Sequence, residues 1–458
     1  MTVLGNIKIH WLVLAGILLG VIIGAVLNNL YVDEIRQQVL GDSYTNADLQ
    51  ANAKALNDAL ANHIKGTTLG STLHGIGGVF LNLLKMVVVP LVFFSIISGV
   101  CSMGGSASIG RIGLKTLGWY LLTSMLAIMT GLIVVNAISP GVGADIMIPT
   151  QGREAHTPSG FWDVVVNMVP TNVVEAAASF DMFGIITFAL FFGVFLLQLD
   201  EEKRNLMVGL FDAASEVMMR MTMFVISLAP VGIIGLVGFT VATSGPRIFI
   251  ELFDFVLTVG LALSVHFLIT LPLLCFLLTK RNPFTFMQAM SPALLTGFST
   301  ASSSGTLGVT IETANEEAGI NNRISSFVLP LGATVNMDGT ALFECVTVLF
   351  IAQVHASNHP DFAPLTLSAQ LMVVFLALAV SIGAAGIPHA GLVMMVIILN
   401  AVGLPIEYTA LIWAVDRILD MARTMTNIWS DCCGTLVIAH TENAIDDSVL
   451  FAQENSGA

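Results

Sequence analysis

Charge is what this chain has least of. Asp, Glu, Lys and Arg make up 10% of its 458 residues, against about 25% in an ordinary soluble domain, so most of the chain does not face water. Basic residues are scarcer still, 17 against 31 acidic ones, for a formal charge of -14. That balance repels a phosphate backbone, and no nucleic-acid partner is expected. Cysteine is also sparse. Cys101, Cys275, Cys345, Cys432 and Cys433 are odd in number and form no CxxC or Cys/His spacing, which excludes a secreted disulfide scaffold and leaves reduced packing residues. No lysine follows a glycine, so a phosphate-binding GxxxxGK[ST] loop cannot occur and a primary pump is disfavoured. No GxSxG accompanies the serine clusters, so no hydrolase is indicated and no enzymatic activity is expected.

What fills the chain is apolar: 55% hydrophobic residues with a mean hydropathy of +0.86. A helix needs about 20 apolar residues to cross a bilayer. Charge-free runs near that length lie at 11–32, 86–110, 116–144, 182–199, 221–246 and 255–279, which defines an all-α polytopic membrane protein. The first run exceeds a signal-peptide core and is expected to remain as the first span. With Lys8 inside, the short loops carrying Arg111 and Lys115, Lys203 and Arg204, and Lys280 and Arg281 also fall on the cytoplasmic side. The mixed-charge segment from Asp33 to Lys65 then falls outside and reads as a long polar loop.

The second half of the chain departs from simple spans. Residues 282–311 carry no charge, yet their centre is Ser299-Thr-Ala-Ser-Ser-Ser-Gly-Thr306, leaving apolar arms too short to cross. Residues 362–406 repeat the theme around Ser381-Ile-Gly-Ala-Ala-Gly-Ile-Pro-His-Ala-Gly391. Paired, interrupted hydrophobic segments in two halves point to a transport site at the repeat interface. Non-helical backbone at that depth is tolerated only where it lines a cavity or is buried in protein. Close packing of small residues between helices is the plainer alternative.

Each interrupted segment is followed by a helix with polar residues. After the first comes Asn336-Met-Asp-Gly-Thr340; after the second, Asp416, Asp420, Arg423, Asn427 and Asp431 follow at intervals of 4, 3, 4 and 4. At about 100° per residue these five share one helix face, with Thr424 at its edge. Intramembrane charges are costly and face an interior, where they pair or bind ligand. Arg423 offers a planar fork suited to a carboxylate, and Asp420 suits an ammonium. Together with Asn427 they describe a pocket for an acidic amino acid. An internal salt bridge from Arg423 to Asp416 or Asp420 is the alternative, although Arg417 reads as the more natural structural partner of the aspartates. Asp338 and Asp431 have no evident cationic partner, and carboxylate, amide and backbone oxygens around them suit a hard cation such as sodium. His389, alone at the second tip, receives no role.

Trp119-Tyr-Leu-Leu-Thr-Ser124, Ser302-Ser-Ser-Gly-Thr306, Asn336 to Thr340, Ser381 to Gly391, and Asp416 to Thr424 with Asn427 and Asp431 together resemble the glutamate/aspartate transporters, the dicarboxylate/amino acid:cation symporter family. Carriers of this kind are among the proteins from which the rule of paired, interrupted segments was drawn, so their agreement with it is not independent. The resemblance implies eight transmembrane helices, two re-entrant hairpins, inverted repeats and an elevator-type transporter fold in a homotrimer surrounded by membrane lipids. It implies no enzyme cofactor; sodium ions, and protons as a further candidate, would be the coupling ions. The location implied is the plasma membrane, or the inner membrane of a bacterium, with both termini cytoplasmic.

In that scheme residues 1–112 are mostly scaffold with an extracytoplasmic loop at 33–70. Residues 113–139 form a third helix belonging to the transport region, and 140–248 hold the fourth and fifth helices, scaffold and trimerisation. The transport core is 249–440: a sixth helix, hairpin one near 282–320, a seventh helix near 323–353, hairpin two near 362–403 and an eighth helix near 407–440. An acidic cytoplasmic tail follows at 441–458. Substrate would be held by Ser303, Thr340, Asp420, Arg423, Thr424 and Asn427, with backbone from Ala301, Ile387 and Gly391. Sodium would be held by three sets: Gly332, Asn336, Asn427 and Asp431; Tyr120, Thr123, Ser124, Asn336 and Asp338; and Thr334, Met337, Ser381 and Ile382. Hairpin two would be the extracellular gate.

Three positions depart from archaeal aspartate carriers that the chain resembles. Ala301 stands in place of an arginine, whose charge Arg417 is a candidate to supply, and Ala384 in place of a threonine. Glu344 stands where a glutamine would be and matches the animal glutamate transporters, which makes it the candidate for proton coupling; a satisfied buried carboxyl is the alternative. A C4-dicarboxylate or neutral amino acid carrier of the same family, or an anion-conducting channel, is the alternative function. Arg423 argues against neutral substrates, which would leave a buried guanidinium unpaired.

Overall fold

The computed structural model describes residues 9–41, 53–102, 107–144, 166, 169–179, 182–245, 248–359, 362–381, 390–446 and 448–449. Among these, helices dominate and no strand occurs; a lone antiparallel bridge joins Ile320 and Ile445. The first group comprises α1 (Ile9–Leu40), α2 (Ala53–Gly66), α3 (Thr68–Ser102), α4 (Ala107–Ile138), α5 (Val173–Ser179), α6 (Met182–Leu196), α7 (Glu201–Ser227) and α8 (Ala229–Ser244). There follow α9 (Ile248–Val265), a π-helical turn (His266–Thr270), α10 (Leu271–Thr279), α11 (Pro283–Ala289), α12 (Ser291–Thr300) and α13 (Ser303–Glu316). The chain closes with α14 (Asn322–Val335), α15 (Asp338–Asn358), α16 (Leu367–Ser381), α17 (Ala390–Ala401), a 3-10 turn (Ile406–Tyr408) and α18 (Thr409–Thr441).

Among the described residues four helical stretches are long and apolar enough to cross a bilayer: Ala15–Leu40, Arg111–Ile138, Leu252–Thr279 and Asn322–Asn358. A fifth arises if α7 and α8, bent by 53° at Leu228, count as one. The apolar windows of the first three are 33 to 39% buried, whereas that of Asn322–Asn358 is 83% buried. The first three therefore present side chains such as Ile22, Ile133 and Leu261 outward, while α14 and α15 form the axis around which other helices pack.

Two packing groups result. In one, α1 lies along α8, and α3 packs on α6, α7 and α8. Gly16, Gly20 and Gly24 line the contact face of α1, and a Cβ at Gly24 would run into the Gly238 carbonyl and Val241; small residues let helices approach where lipid provides no hydrophobic drive. In the other group, α15 packs on α4, α16, α17 and α18, and α18 also contacts α9, α10, α12 and α14. Neighbouring α12 and α13 pack together, as do α16 and α17, so both interrupted segments are helix pairs. At the end of the second group Asn321 N donates to Ala444 O (3.0 Å) and Asp446 N to Gly319 O (2.8 Å), tying the chain after α18 to the foot of the α12–α13 pair.

One expectation is corrected here. Much of the segment 33–70 is helical: α1 continues to Leu40 and α2 spans Ala53–Gly66. Leu56, Leu60 and Ile64 recur at helical spacing on an otherwise polar sequence; Leu60 and Ile64 pack with Leu27, Ile35, Leu73 and Phe239. The abundance of Asn, Asp and Lys between them concealed a helix that is amphipathic.

Candidate functional site

The site grows from a break in one helix. Pro330 lies inside α14, and the chain leaves helical geometry at Asn336 and Met337 before α15 begins at Asp338. A helix start exposes four N–H groups needing acceptors, and here the cap comes from another helix. Asn427 of α18 accepts from Gly339 N (2.7 Å) and Thr340 N (3.3 Å) through its side-chain oxygen, and its amide nitrogen donates to Thr340 Oγ1 (3.1 Å). The same nitrogen lies 3.3 Å from Met337 Sδ. Gly339 permits this approach, since a Cβ there would strike the backbone of Arg423.

Below the break, oxygens gather from four helices, α4, α14, α15 and α18. Asp338 Oδ1 accepts from Ser124 Oγ (2.6 Å) and Thr123 Oγ1 (3.3 Å). Asn336 Nδ2 donates to Asp431 Oδ1 (2.8 Å) and Ser430 Oγ (3.0 Å), and Thr123 Oγ1 lies 3.5 Å from Asn336 Oδ1. Tyr120 Oη donates to Val328 O (2.7 Å). A Cβ on Gly332 would press on both Asp431 Oδ1 and Tyr120 Oη, so only glycine lets them come this close to the backbone. Asn336, Asp338, Asp431, Tyr120, Thr123 and Ser124 are all buried. Two carboxylates with hydroxyl and amide oxygens form a donor set suited to a hard monovalent cation.

Above the break lies the guanidinium. Arg423 is 1% exposed, and its Nη2 reaches Asp420 Oδ1 (2.6 Å) and Asp416 Oδ1 (3.0 Å). Its carbon lies 3.9 Å from the centroid of the Phe343 ring, a cation–π contact. Nε and Nη1 have no hydrogen-bond partner among the described residues. A Cβ on Gly391 would sit 3.0 Å from Nη1 and 3.2 Å from Thr340 Cγ2, so the start of α17 closes over this edge. Glu344, fully buried with neither oxygen hydrogen-bonded among the described residues, lies within electrostatic reach of Arg423.

At the α12–α13 turn, Ala301 takes the left-handed conformation (φ +52°) and Ser302 caps α13 by accepting from Gly305 N (3.0 Å). Ser303, next in line, is buried, as is Thr424. Among the described residues, the members of the third cation set share no hydrogen bond with one another. Thr334 is exposed with its hydroxyl bonded to Leu331 O (3.2 Å), Ser381 Oγ turns to Leu378 O (2.9 Å), and Met337 meets Asn427. Ile382, Ala384, Ile387 and His389 lie outside the described residues.

One reading from sequence is corrected. Arg423 pairs with Asp416 and Asp420, the part expected of Arg417, because the 3- and 7-residue spacings put its guanidinium on their face. Asp338 has a hydrogen-bond partner that the sequence did not reveal: His266 Nε2 lies 3.1 Å from its Oδ2. A lone histidine 72 residues upstream in an apolar run gave no signal. Ser430 was likewise missed; it bridges Asn336 and Thr123, accepting at 3.0 Å and donating at 3.3 Å.

A bundle whose exterior is apolar and whose axis carries a broken helix between an oxygen cluster and a buried guanidinium is the build of a multi-pass membrane transporter, not of an enzyme. The chain belongs to the sodium:dicarboxylate symporter family, whose model matches residues 9–441. It is 35% identical over 414 residues to excitatory amino acid transporter 3 of Mus musculus, covering 79% of this chain and 78% of that one. Excitatory amino acid transporter 4 of the same species is 34% identical over 437 residues, covering 80% and 76%. An excitatory amino acid transporter of Caenorhabditis elegans is 33% identical over 423 residues, covering 80% and 81%.

Proposed function

We propose that the protein is a secondary active symporter for the acidic amino acids L-glutamate and L-aspartate, driven by sodium and by protons carried on Glu344. The observation that carries this reading is the half-satisfied guanidinium. Two aspartates neutralise Arg423 through Nη2, while Nε and Nη1 find no acceptor among the described residues, and Nη1 lies buried beside Gly391. An unpaired buried donor is costly, and a substrate carboxylate is the group that satisfies this edge bidentately. Sodium, as co-substrate, is assigned to the oxygens of Asp338, Asp431, Asn336, Thr123, Ser124 and Tyr120 and to the backbone at Gly332. Thr334, Met337, Ser381 and Ile382 form a further set around the start of hairpin two.

The relatives' name supports amino acids as substrate, and the family's name supports sodium and keeps C4-dicarboxylates as the second reading. Glu344 supports proton coupling, because a fully buried carboxyl with no hydrogen-bond partner among the described residues is a poor place for a lasting negative charge. The working assembly in this reading is a homotrimer in the plasma membrane with both termini cytoplasmic. Each protomer has eight spans and two re-entrant hairpins. The core around α9–α18, with α4, moves as an elevator against the remaining helices, and hairpin two gates the outer side.

Uptake into proteoliposomes tests the whole reading. Labelled L-aspartate or L-glutamate should accumulate above the outside concentration only with inward sodium, and competition by glutamate, aspartate, succinate and serine ranks the substrates. Equilibration without accumulation would indicate a channel, and succinate outcompeting both amino acids would favour the dicarboxylate reading. Glu344→Gln should flatten the pH dependence of uptake; an unchanged profile would remove Glu344 from the coupling.

A further inference from the structure

The geometry points to His266 as a positioning residue for the cation site, donating from Nε2–H to Asp338 Oδ2 and so holding the other oxygen of that carboxylate toward Thr123 and Ser124. The inference rests on the reading of Asp338 as a sodium ligand and adds a residue that lies outside every set named above.

The chain places His266 with some effort. It opens a π-helical turn, in which Leu271 N bonds to His266 O across five residues. Pro272 immediately downstream lacks an N–H, so the regular bonding pattern cannot pass through it. The extra residue rotates the upstream helix by about 100° relative to the downstream one, and such turns recur where a side chain must be re-aimed at a functional position. The distortion is held from the last helix: Trp429 Nε1 donates to Phe267 O at 3.1 Å, and the indole packs on Phe267 and Phe286. A histidine introduced only to fill space would need neither the turn nor the clamp.

The chemistry of the contact follows from the partners. Asp338 and His266 are both fully buried. A carboxylate only accepts, so Nε2 carries a proton, and Nδ1 has no hydrogen-bond partner among the described residues. Ser124, Thr123 and His266 then occupy three of about four acceptor positions of the carboxylate. The ring thereby fixes the orientation of Asp338 through a single donor. Outer hydrogen-bond partners of this kind typically change metal affinity about 10–100-fold when removed.

The test is sodium binding measured without transport, on purified full-length protein in detergent with no substrate present. Apparent sodium affinity is read from the sodium dependence of thermal unfolding and of the fluorescence of Trp119 and Trp429. His266→Leu should weaken it about tenfold or more, His266→Gln, which keeps an N–H donor, should restore most of it, and in an Asp338→Asn background His266→Leu should have no added effect. Unchanged affinity in His266→Leu, or equal losses in the Leu and Gln variants, overturns the inference. If Asp338→Asn itself leaves sodium affinity intact, it is the sodium assignment that fails. Should His266→Leu not fold, His266→Phe keeps the ring volume. Selective 15N-histidine NMR of the wild type then decides independently: a proton on Nε2 is expected, and one on Nδ1 with a bare Nε2 overturns the proposal.

Discussion

At the scale of single residues, Arg423 concentrates the energetics of the site. Burying a guanidinium costs several kcal/mol unless it is paired, and Asp416 and Asp420 offset that cost at one nitrogen only. Replacing Arg423 with Thr therefore has two separable effects. Two buried carboxylates lose their cation, which should lower stability by about 3–5 kcal/mol, seen as a fall in the unfolding midpoint. Acidic substrates lose their anchor, so aspartate and glutamate uptake should disappear while serine or alanine uptake is gained; retained aspartate affinity would refute the assignment. The stripe Asp416, Asp420, Arg423, Asn427 and Asp431 was legible because helical periodicity puts those positions on one face. The bonding within it was not, since periodicity states which residues are neighbours and leaves open which nitrogen meets which oxygen.

At the scale of elements, the break between α14 and α15 shows how a helix can be opened inside a protein without leaving its donors bare. The cap comes from Asn427 on α18, which makes the start of one helix depend on the register of another. Asn427→Ala should cost about 1 kcal/mol, the usual worth of a cap, and should speed amide exchange at Gly339 and Thr340 more than elsewhere in α15. Uniform protection would show that the cap is dispensable. The break itself could be read from Asn-Met-Asp-Gly inside an apolar stretch, and the two helix pairs from their serine- and glycine-rich centres. The helix α2 could not be read from apolar runs, since Leu56, Leu60 and Ile64 stand four apart among small and polar residues. Nor could the π-turn at His266, because an extra residue in a helix leaves no mark when every neighbour is apolar.

At the scale of the whole molecule, charged side chains fasten the end of α18 to the start of α4. Glu442, just past α18, accepts from Lys115 Nζ (2.6 Å) and Arg111 Nη2 (2.5 Å) of α4, and Lys115 also reaches Thr441 Oγ1 (2.9 Å). The hydrogen bond from Lys115, then that from Arg111, holds the Glu442 carboxyl below its ordinary value of 4.5. A lowered value in the folded protein means that the stabilisation is present above pH 4.5 and is lost as the pH falls through the folded value. Unfolding midpoints of wild type and Glu442→Gln should therefore differ at about pH 7 and converge in acid; a constant difference would mean that the ion pairs contribute nothing titratable. A second fastening, the stitch of Asn321 and Gly319 to Ala444 and Asp446, joins the foot of the α12–α13 pair to the end of α18 through main-chain atoms alone. The seam depends on a side chain being absent: Gly319 sits at φ +64°, and a Cβ there would run into the Asp446 carbonyl, so any other residue at that position pries the two segments apart. The foot of the α12–α13 pair is thus a post set in its footing, and what keeps it there is a single hydrogen atom in place of a methyl group.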